Sequence, residues 1–467
     1  MDDATAQHVP AVELFVRRSH LAAPAEAVFA WHTRAGAFER LTPPWEDVAV
    51  IEEHGGIEDG ARKVLRMGRP PFSLRWVADH QDYVEGRQFR DVQSSGPFAQ
   101  WTHTHRIEPD GPDACWLEDH IAYALPLGGL GALAGGGFTR RKLQRMFDYR
   151  HRITAHDVAA HRQARGAGTM KILISGASGL IGTALVPFLT TGGHQVVRLV
   201  RGGRKKAGTV QWDPAAGTID RAGLEGFDAV VHLSGENIAA GRWTPERKAR
   251  IHASRVDGTR LLVEALAGLT HPPKILIAAS AIGYYGDRKE DIVDEDSAPG
   301  AGFLADVCRE WEAATFPAAQ AGMRVVNLRF GVVLSGKGGM LPTVLTPFRF
   351  GLGGAIGGGA QYMSWVAIDD VLGAVLYALT TPALSGPVNA VSPHPVTNRV
   401  FTDTLAQVLS RPALLPIPAA AVRLLFGEMG EELLLSSTRV EPERLTAAGF
   451  HFTFPDLESA LRHVLGK

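Results

Sequence analysis

The stretch TMKILISGASGLIGTALVPFL, residues 169–189, decides how the rest of the chain is read. An apolar run of strand character ends in glycines at 176, 179 and 182, and an apolar helical run follows. Gly176 permits the tight turn out of the strand, Gly179 lets backbone approach a pyrophosphate, and Gly182 lets helix and strand pack closely. The helix start then turns free N–H groups and a positive dipole end toward phosphate oxygens. Strand, glycine loop and helix in this order, with a second strand ending where a ribose belongs, predict dinucleotide binding by Gly176, Ser178, Gly179, Leu180, Ile181 and Gly182.

The second strand, HQVVRLVR (194–201), ends on Arg201, with Arg204, Lys205 and Lys206 just beyond. A carboxylate there would hold the ribose 2′-hydroxyl of NAD, whereas a guanidinium attracts the 2′-phosphate of NADP. A charge-assisted hydrogen bond contributes about 1.5–3 kcal/mol, a preference of about tenfold or more, so the expected cofactor is NADP(H). The third contact is expected after DAVVHLSGEN (228–237), where Leu233, Ser234 and Gly235 end a strand and Glu236 and Asn237 begin a turn or cap. The nearly unbroken apolar runs KILIAAS, RVVNLRFG and GPVNAV alternate with helical segments. They predict an α/β fold: a doubly wound parallel Rossmann sheet covered by helices on both faces, with a helical extension after it.

A long stretch precedes this unit. The segment QARGAGT (163–169) breaks helices and buries little, which sets a linker at 164–169 between an N-terminal domain at 1–163 and the Rossmann domain at 170–390, with a C-terminal domain at 391–467. The N-terminal part reads as strand, short helix (PAEAVFAWHTR), several alternating strands and a long basic amphipathic helix. A curved sheet closed over such a helix would enclose an apolar cavity. The glycine-rich ALPLGGLGALAGGGF (124–138) reads as a flexible loop, and His103 and His105, alternating along a strand, read as ordinary surface groups.

The bulk composition narrows the partners. A formal net charge of -1 gives no field that would gather nucleic acid or an anionic membrane. Cys115 and Cys308 fall in different domains, so neither a disulfide framework nor a CxxC metal site is expected, and a reducing cytoplasm is the natural setting. The first residues lack the pattern of a signal peptide, and no apolar stretch reaches the roughly 18 residues of a membrane span. The expected partners are a small-molecule substrate and a hydrophobic ligand for the N-terminal domain.

MKILISGASGLIG, LSGEN, ASRVDGTRLLVEAL, SAIGYYGD, GAGFLADVCREWE, PFRFGLGGAIGGG, MSWVAIDD and GPVNAVSPHPVTN together resemble the atypical extended short-chain dehydrogenase/reductases known as NAD-dependent epimerase-like proteins. The resemblance covers residue 170 to the end and implies a Rossmann fold that binds NADP(H), with Arg201, Leu233, Ser234 and Arg255 at cofactor-contacting positions. The N-terminal pattern resembles the START-like, polyketide-cyclase helix-grip superfamily, an α+β fold, and implies binding of a hydrophobic ligand.

Extended short-chain enzymes carry Tyr-x-x-x-Lys on one helix, and here Phe303 and Val307 stand at those positions. Neither transfers a proton, so catalysis by that pair is excluded. The substitutes within reach are Ser280, Tyr284 and Tyr285 on SAIGYYGD, either tyrosine being in register as proton donor. Cys308 reads as a buried small hydrophobe. Arg349, Gln361 and Trp365 are available to a substrate, while Asp369 and Asp370 are expected to cap the next helix. Three functional readings follow: an oxidoreductase or epimerase-like enzyme, a non-catalytic NADP(H) sensor, and catalysis by the N-terminal domain.

Overall fold

The computed structural model describes residues 12–202 and 206–467 and divides into two compact units, Met1–Gln163 with Gly466 and Ala164–Leu465 with Lys467. Arg204 and Lys205 lie outside the described residues.

The N-terminal unit begins with β1 (Glu13–Leu21), α1 (Ala25–Thr33) and α2 (Ala37–Leu41). Six further strands follow: β2 (Val48–His54), β3 (Arg62–Met67), β4 (Leu74–Val84), β5 (Gln88–Ser95), β6 (Gln100–Pro109) and β7 (Cys115–Ala124), before the long α3 (Gly128–Gln163). The strands form one antiparallel sheet in the order β1-β7-β6-β5-β4-β3-β2, in which β7 bridges the first strand to the meander. Phe147 and Leu143 of α3 pack with Phe15, Trp76, Trp101 and Tyr123 of the sheet, so one face of the helix closes the core. This is the helix-grip arrangement, with two departures from expectation. The glycine-rich stretch is helical from Gly128 onward, as the first turns of α3. His103 and His105 are buried rather than on the surface, because both point from β6 to the covered face, which is therefore polar as well as aromatic.

The C-terminal unit alternates strand and helix: β8 (Lys171–Ser175), α4 (Leu180–Thr191), β9 (Gln195–Arg201), β10 (Thr209–Asp213), β11 (Thr218–Ile219), β12 (Ala229–His232), α5 (Pro245–Ala267) and β13 (Ile275–Ala281). Then come α6 (Phe303–Ala313), α7 (Phe316–Gln320), β14 (Arg324–Phe330), α8 (Met340–Arg349), α9 (Ile368–Thr380) and β15 (Gly386–Ala390). The sheet order is β11-β10-β9-β8-β12-β13-β14-β15, parallel except for β11. The order turns back on either side of β8, and ligands of such sheets bind at the strand ends beside that reversal. Ile172, Leu173 and Ile174 of β8 are fully buried, about 1.5–3 kcal/mol each, which anchors the strand that delivers the glycine loop. Helix α5 starts where Thr244 accepts from the Arg247 amide and Pro245 occupies the first turn. The extension contains α10 (Asn398–Leu409), α11 (Ala419–Phe426), α12 (Glu443–Ala447) and α13 (Leu457–Leu465), besides short helical turns over Glu428–Gly430 and Glu431–Leu435, and α10 and α13 share a core with Leu341, Leu345 and Trp365.

Candidate functional site

The glycine loop is built as its spacing predicts. Gly176 has φ +69°, and a Cβ there would lie 2.7 Å from the carbonyl of Leu233, so the loop and the end of β12 touch through backbone. Gly179 donates its amide to the Gly176 carbonyl at 2.9 Å and precedes the first turn of α4. Gly182 sits against that same carbonyl, where a Cβ would be 2.3 Å away. Ser178 is exposed, while Leu180 and Ile181 are half-buried at the start of α4. Arg201 is exposed at the end of β9, opposite Trp212 of β10.

The end of β12 is held by a buried network that the sequence does not advertise. The Leu233 amide donates to Ser175 Oγ at 3.1 Å, and Ser175 Oγ lies 2.6 Å from His232 Nδ1. His232 Nε2 lies 3.0 Å from Thr259 Oγ1, which also takes the Trp311 indole N–H at 2.9 Å. With its hydroxyl accepting from Leu233, Ser175 donates to Nδ1, so the Nε2–H tautomer of a neutral imidazole completes the chain. Burial pushes the His232 pKa down to about 4. Arg255 braces the following loop from below: Nη2 donates to the Glu236 carbonyl at 3.0 Å and Nη1 to the Ile251 carbonyl at 3.2 Å. Its guanidinium lies 5.1 Å over Trp311, and a Cβ on Gly235 would come within 3.2 Å of it.

On the nicotinamide side of the expected site, β13 and β14 pair so that Ser280 faces Arg329 across the ladder. Ser280 is buried and donates to Glu312 Oε1 at 2.7 Å. Glu312 takes both arms of the Arg329 guanidinium, at 2.7 and 2.8 Å. Arg329 Nη1 donates to Tyr285 Oη at 2.8 Å, and Tyr285 donates to Asn389 Oδ1 at 2.7 Å. Tyr285 is fully buried, and burial outweighs the nearby Arg329 to push its hydroxyl up to about 12. Its oxygen is committed on both sides, and it serves as a strut. Tyr284 is half-buried, its ring centroid 3.5 Å from the Arg329 guanidinium carbon, and among the described residues its hydroxyl has no partner of this kind. Cys308 is buried and raised to about 12 by desolvation, which removes it as a nucleophile.

Residues 172–391 match the model of the NAD dependent epimerase/dehydratase family, residues 417–464 that of a domain of unknown function (DUF1731), and residues 21–148 that of polyketide cyclase / dehydrase and lipid transport proteins. An epimerase family protein of Mycobacterium tuberculosis is 44% identical over 290 residues, 62% of this chain and 96% of its own length. The chain belongs to the epimerase family. The crystal structure of a nucleoside-diphosphate sugar epimerase from Corynebacterium glutamicum, 33% identical, superposes with a TM-score of 0.79 over 97% of this chain and 90% of that one. The human epimerase family protein SDR39U1, solved with NADPH, is 35% identical over 63% of this chain and 99% of that one, at a TM-score of 0.59.

Elsewhere in the epimerase-family unit, three expectations are corrected. Trp365 is fully buried, its indole N–H donating to the His394 carbonyl at 3.1 Å, and so belongs to the core rather than to a substrate. Gln361 spends its amide on the Ile356 and Leu434 carbonyls. Asp369 and Asp370 lie in the first turn of α9 but do not cap it. Asp370 instead accepts from the Thr453 and Phe454 amides, and Asp369 lies 2.9 Å from His463, tying the C-terminal extension to α9. Arg349 remains exposed at the end of α8. His232, Thr259, Glu312 and Arg329 escape a reading of sequence because their partners come from other elements, even where, as for Thr259 and Glu312, the residue lies inside a stretch that carries the family resemblance. The one usable signal was His232 at the end of an otherwise apolar strand.

Proposed function

We propose that the epimerase-family unit is an oxidoreductase or epimerase-like enzyme that binds NADP(H) and acts on a small carbonyl or hydroxyl compound. The observation that carries the reading is the backbone turn: at Gly176 and Gly182 any side chain would strike main-chain atoms, so the loop delivers bare backbone to the N-terminus of α4, the end of a helix that attracts phosphate. Gly176, Ser178, Gly179, Leu180, Ile181 and Gly182 surround the phosphates, with Leu233, Ser234 and Gly235 beside the adenosine half. Arg201 meets the 2′-phosphate. Arg255 acts at one remove, by fixing the Gly235–Glu236 backbone. When bound, the cofactor supplies or accepts a hydride at its nicotinamide. The protein's part is to hold the substrate oxygen and exchange a proton with it, a role we give to Tyr284, since Tyr285 and Ser280 have their hydroxyls engaged.

Calorimetry of the full chain should show NADPH binding more tightly than NADH, with Arg201→Ala weakening NADPH about tenfold while leaving NADH unchanged. Equal affinity for both cofactors would refute the Arg201 assignment. In the presence of a turned-over carbonyl compound, Tyr284→Phe should lower kcat by about 10²- to 10⁴-fold with cofactor affinity retained. We assign the fused N-terminal unit a hydrophobic ligand, on the strength of its match to the polyketide cyclase / dehydrase and lipid transport family over residues 21–148. The engagement of Ser280 and Tyr285 favours one alternative, an NADP(H) sensor without turnover. NADPH that binds but is consumed with no member of a broad carbonyl panel would decide for the sensor.

A further inference from the structure

The N-terminal unit contains a buried polar centre with a geometry of its own. Strand register sets Asp91 of β5 opposite His103 of β6, and His105 of β6 opposite Asp119 of β7. The two-residue period of a strand turns His103 and His105 to one face. Their rings lie side by side, centroids 3.9 Å apart, and each spans the same two carboxylates. At one end, His103 Nδ1 is 3.1 Å and His105 Nε2 is 3.7 Å from Asp91 Oδ1. At the other, His103 Nε2 is 2.8 Å and His105 Nδ1 is 2.6 Å from Asp119 Oδ1, whose second oxygen meets His151 Nε2 at 2.7 Å. The His105 Nδ1 contact is close but not aligned as a hydrogen bond.

The Asp91 end has the spacing of a metal site. Donor atoms bonded at about 2.0–2.1 Å around a tetrahedral ion lie roughly 3.3 Å apart, and the two contacts to Asp91 Oδ1, 3.1 and 3.7 Å, bracket that separation. The three donor atoms all lie within 4.8 Å of one another. The Asp119 end is what a metal site needs behind it, because imidazoles that bind an ion direct their other nitrogen at a carboxylate that fixes ring and tautomer.

We propose that Asp91 Oδ1, His103 Nδ1 and His105 Nε2 bind a divalent transition ion of the zinc class, with Asp119 orienting the His103 ring through a hydrogen bond and lying in contact with the His105 ring. Two imidazoles and a carboxylate suit zinc or ferrous iron rather than magnesium or calcium. Three protein ligands leave a coordination position open, the form of a site that activates water or polarises a carbonyl rather than one that only staples a fold. His80, opposite Asp91 on β4, is the next imidazole along the sheet. Asp91, its side chain 17% exposed, is the accessible member through which an ion would enter.

The test uses the full chain, free of any affinity tag and stripped with a chelator, titrated with Zn²⁺ by calorimetry and with Co²⁺ by visible absorption. The wild-type chain should take up one ion saturably, show the intense ligand-field bands of low-coordinate cobalt, and gain thermal stability with Zn²⁺, since a ligand of the native state stabilises it. Asp91→Asn and His105→Gln should abolish saturable uptake, and Asp119→Asn should weaken it about 10- to 100-fold, with circular dichroism and cooperative melting establishing that each variant is folded. Absence of saturable uptake by the wild-type chain, or uptake unchanged in a folded Asp91→Asn or His105→Gln chain, would overturn the proposal. Should every variant unfold, the cobalt spectrum of the wild-type chain decides: weak octahedral bands overturn it, and intense low-coordinate bands support it.

Discussion

Gly182 lies under the turn it helps to make, with no room for a methyl group beside the Gly176 carbonyl. Gly182→Ala should therefore destabilise the epimerase-family unit by on the order of 3 kcal/mol and abolish NADPH binding, as read by urea denaturation and calorimetry. His232 makes a different prediction. Its ordinary pKa of 6.5 is lowered to about 4 in the folded chain, so below pH 6.5 the unfolded chain takes up a proton that the folded chain refuses. Stability from this group is fully present above pH 6.5 and is lost as pH falls toward 4, about 1.4 kcal/mol per pH unit and about 3 kcal/mol in all. Denaturation of wild-type and His232→Asn chains at pH 6.5, 5.5 and 4.5 should give a steeper loss in the wild type; parallel slopes would remove His232 as the cause. The glycines were legible because their meaning is local, a matter of φ and of close backbone. His103, His105 and Tyr285 were not, since their environments depend on Asp119, His151, Asn389 and Arg329, which folding brings from other strands and helices.

Among the elements, β13, β14 and α6 are fastened by one buried ion pair, Arg329 with Glu312. Replacing Arg329 by Met should cost about 3–5 kcal/mol, because it leaves the largely buried Glu312 carboxylate without a counter-charge; a loss below about 1 kcal/mol in chemical denaturation would show that water reaches it freely. The first ten residues of α3 contain six glycines, each roughly 1 kcal/mol poorer than alanine in a helix. Leu130 and Leu133 in the same turns are 75% and 87% exposed, so little burial offsets that cost. Backbone amides of residues 128–138 should exchange hydrogen for deuterium much faster than those around Phe147 and Ile153, whose side chains are fully buried. A sequence reading assigns such a stretch to a loop because composition weighs glycine and cannot see a helix extended from its well-packed half. The central strands of the Rossmann sheet were legible for the opposite reason: β8, β12, β13 and β14 are buried almost throughout and largely apolar, whereas the short TVQWD of β10 and its partner β11 were overlooked.

For the molecule as a whole, each compact unit carries its own hydrophobic core, centred on Trp31, Ile107 and Ile153 in one and on Leu173, Val230 and Leu276 in the other. Residues 1–163 and 164–467 expressed separately should each unfold cooperatively, the second retaining NADPH affinity within about threefold; a molten, aggregating fragment would show that the cores are not self-sufficient. Among the described residues, no helix is long and apolar enough to cross a membrane. The parallel sheet, finally, stops at both margins in ways that matter to neighbouring chains. One margin is the two-residue β11, and the other is β15, which places Pro387, lacking an amide hydrogen, in the outermost strand. A stray polypeptide looking for a template finds too few free amides on either side to zip against, so crowding during synthesis gives this sheet little opportunity to grow into a fibre.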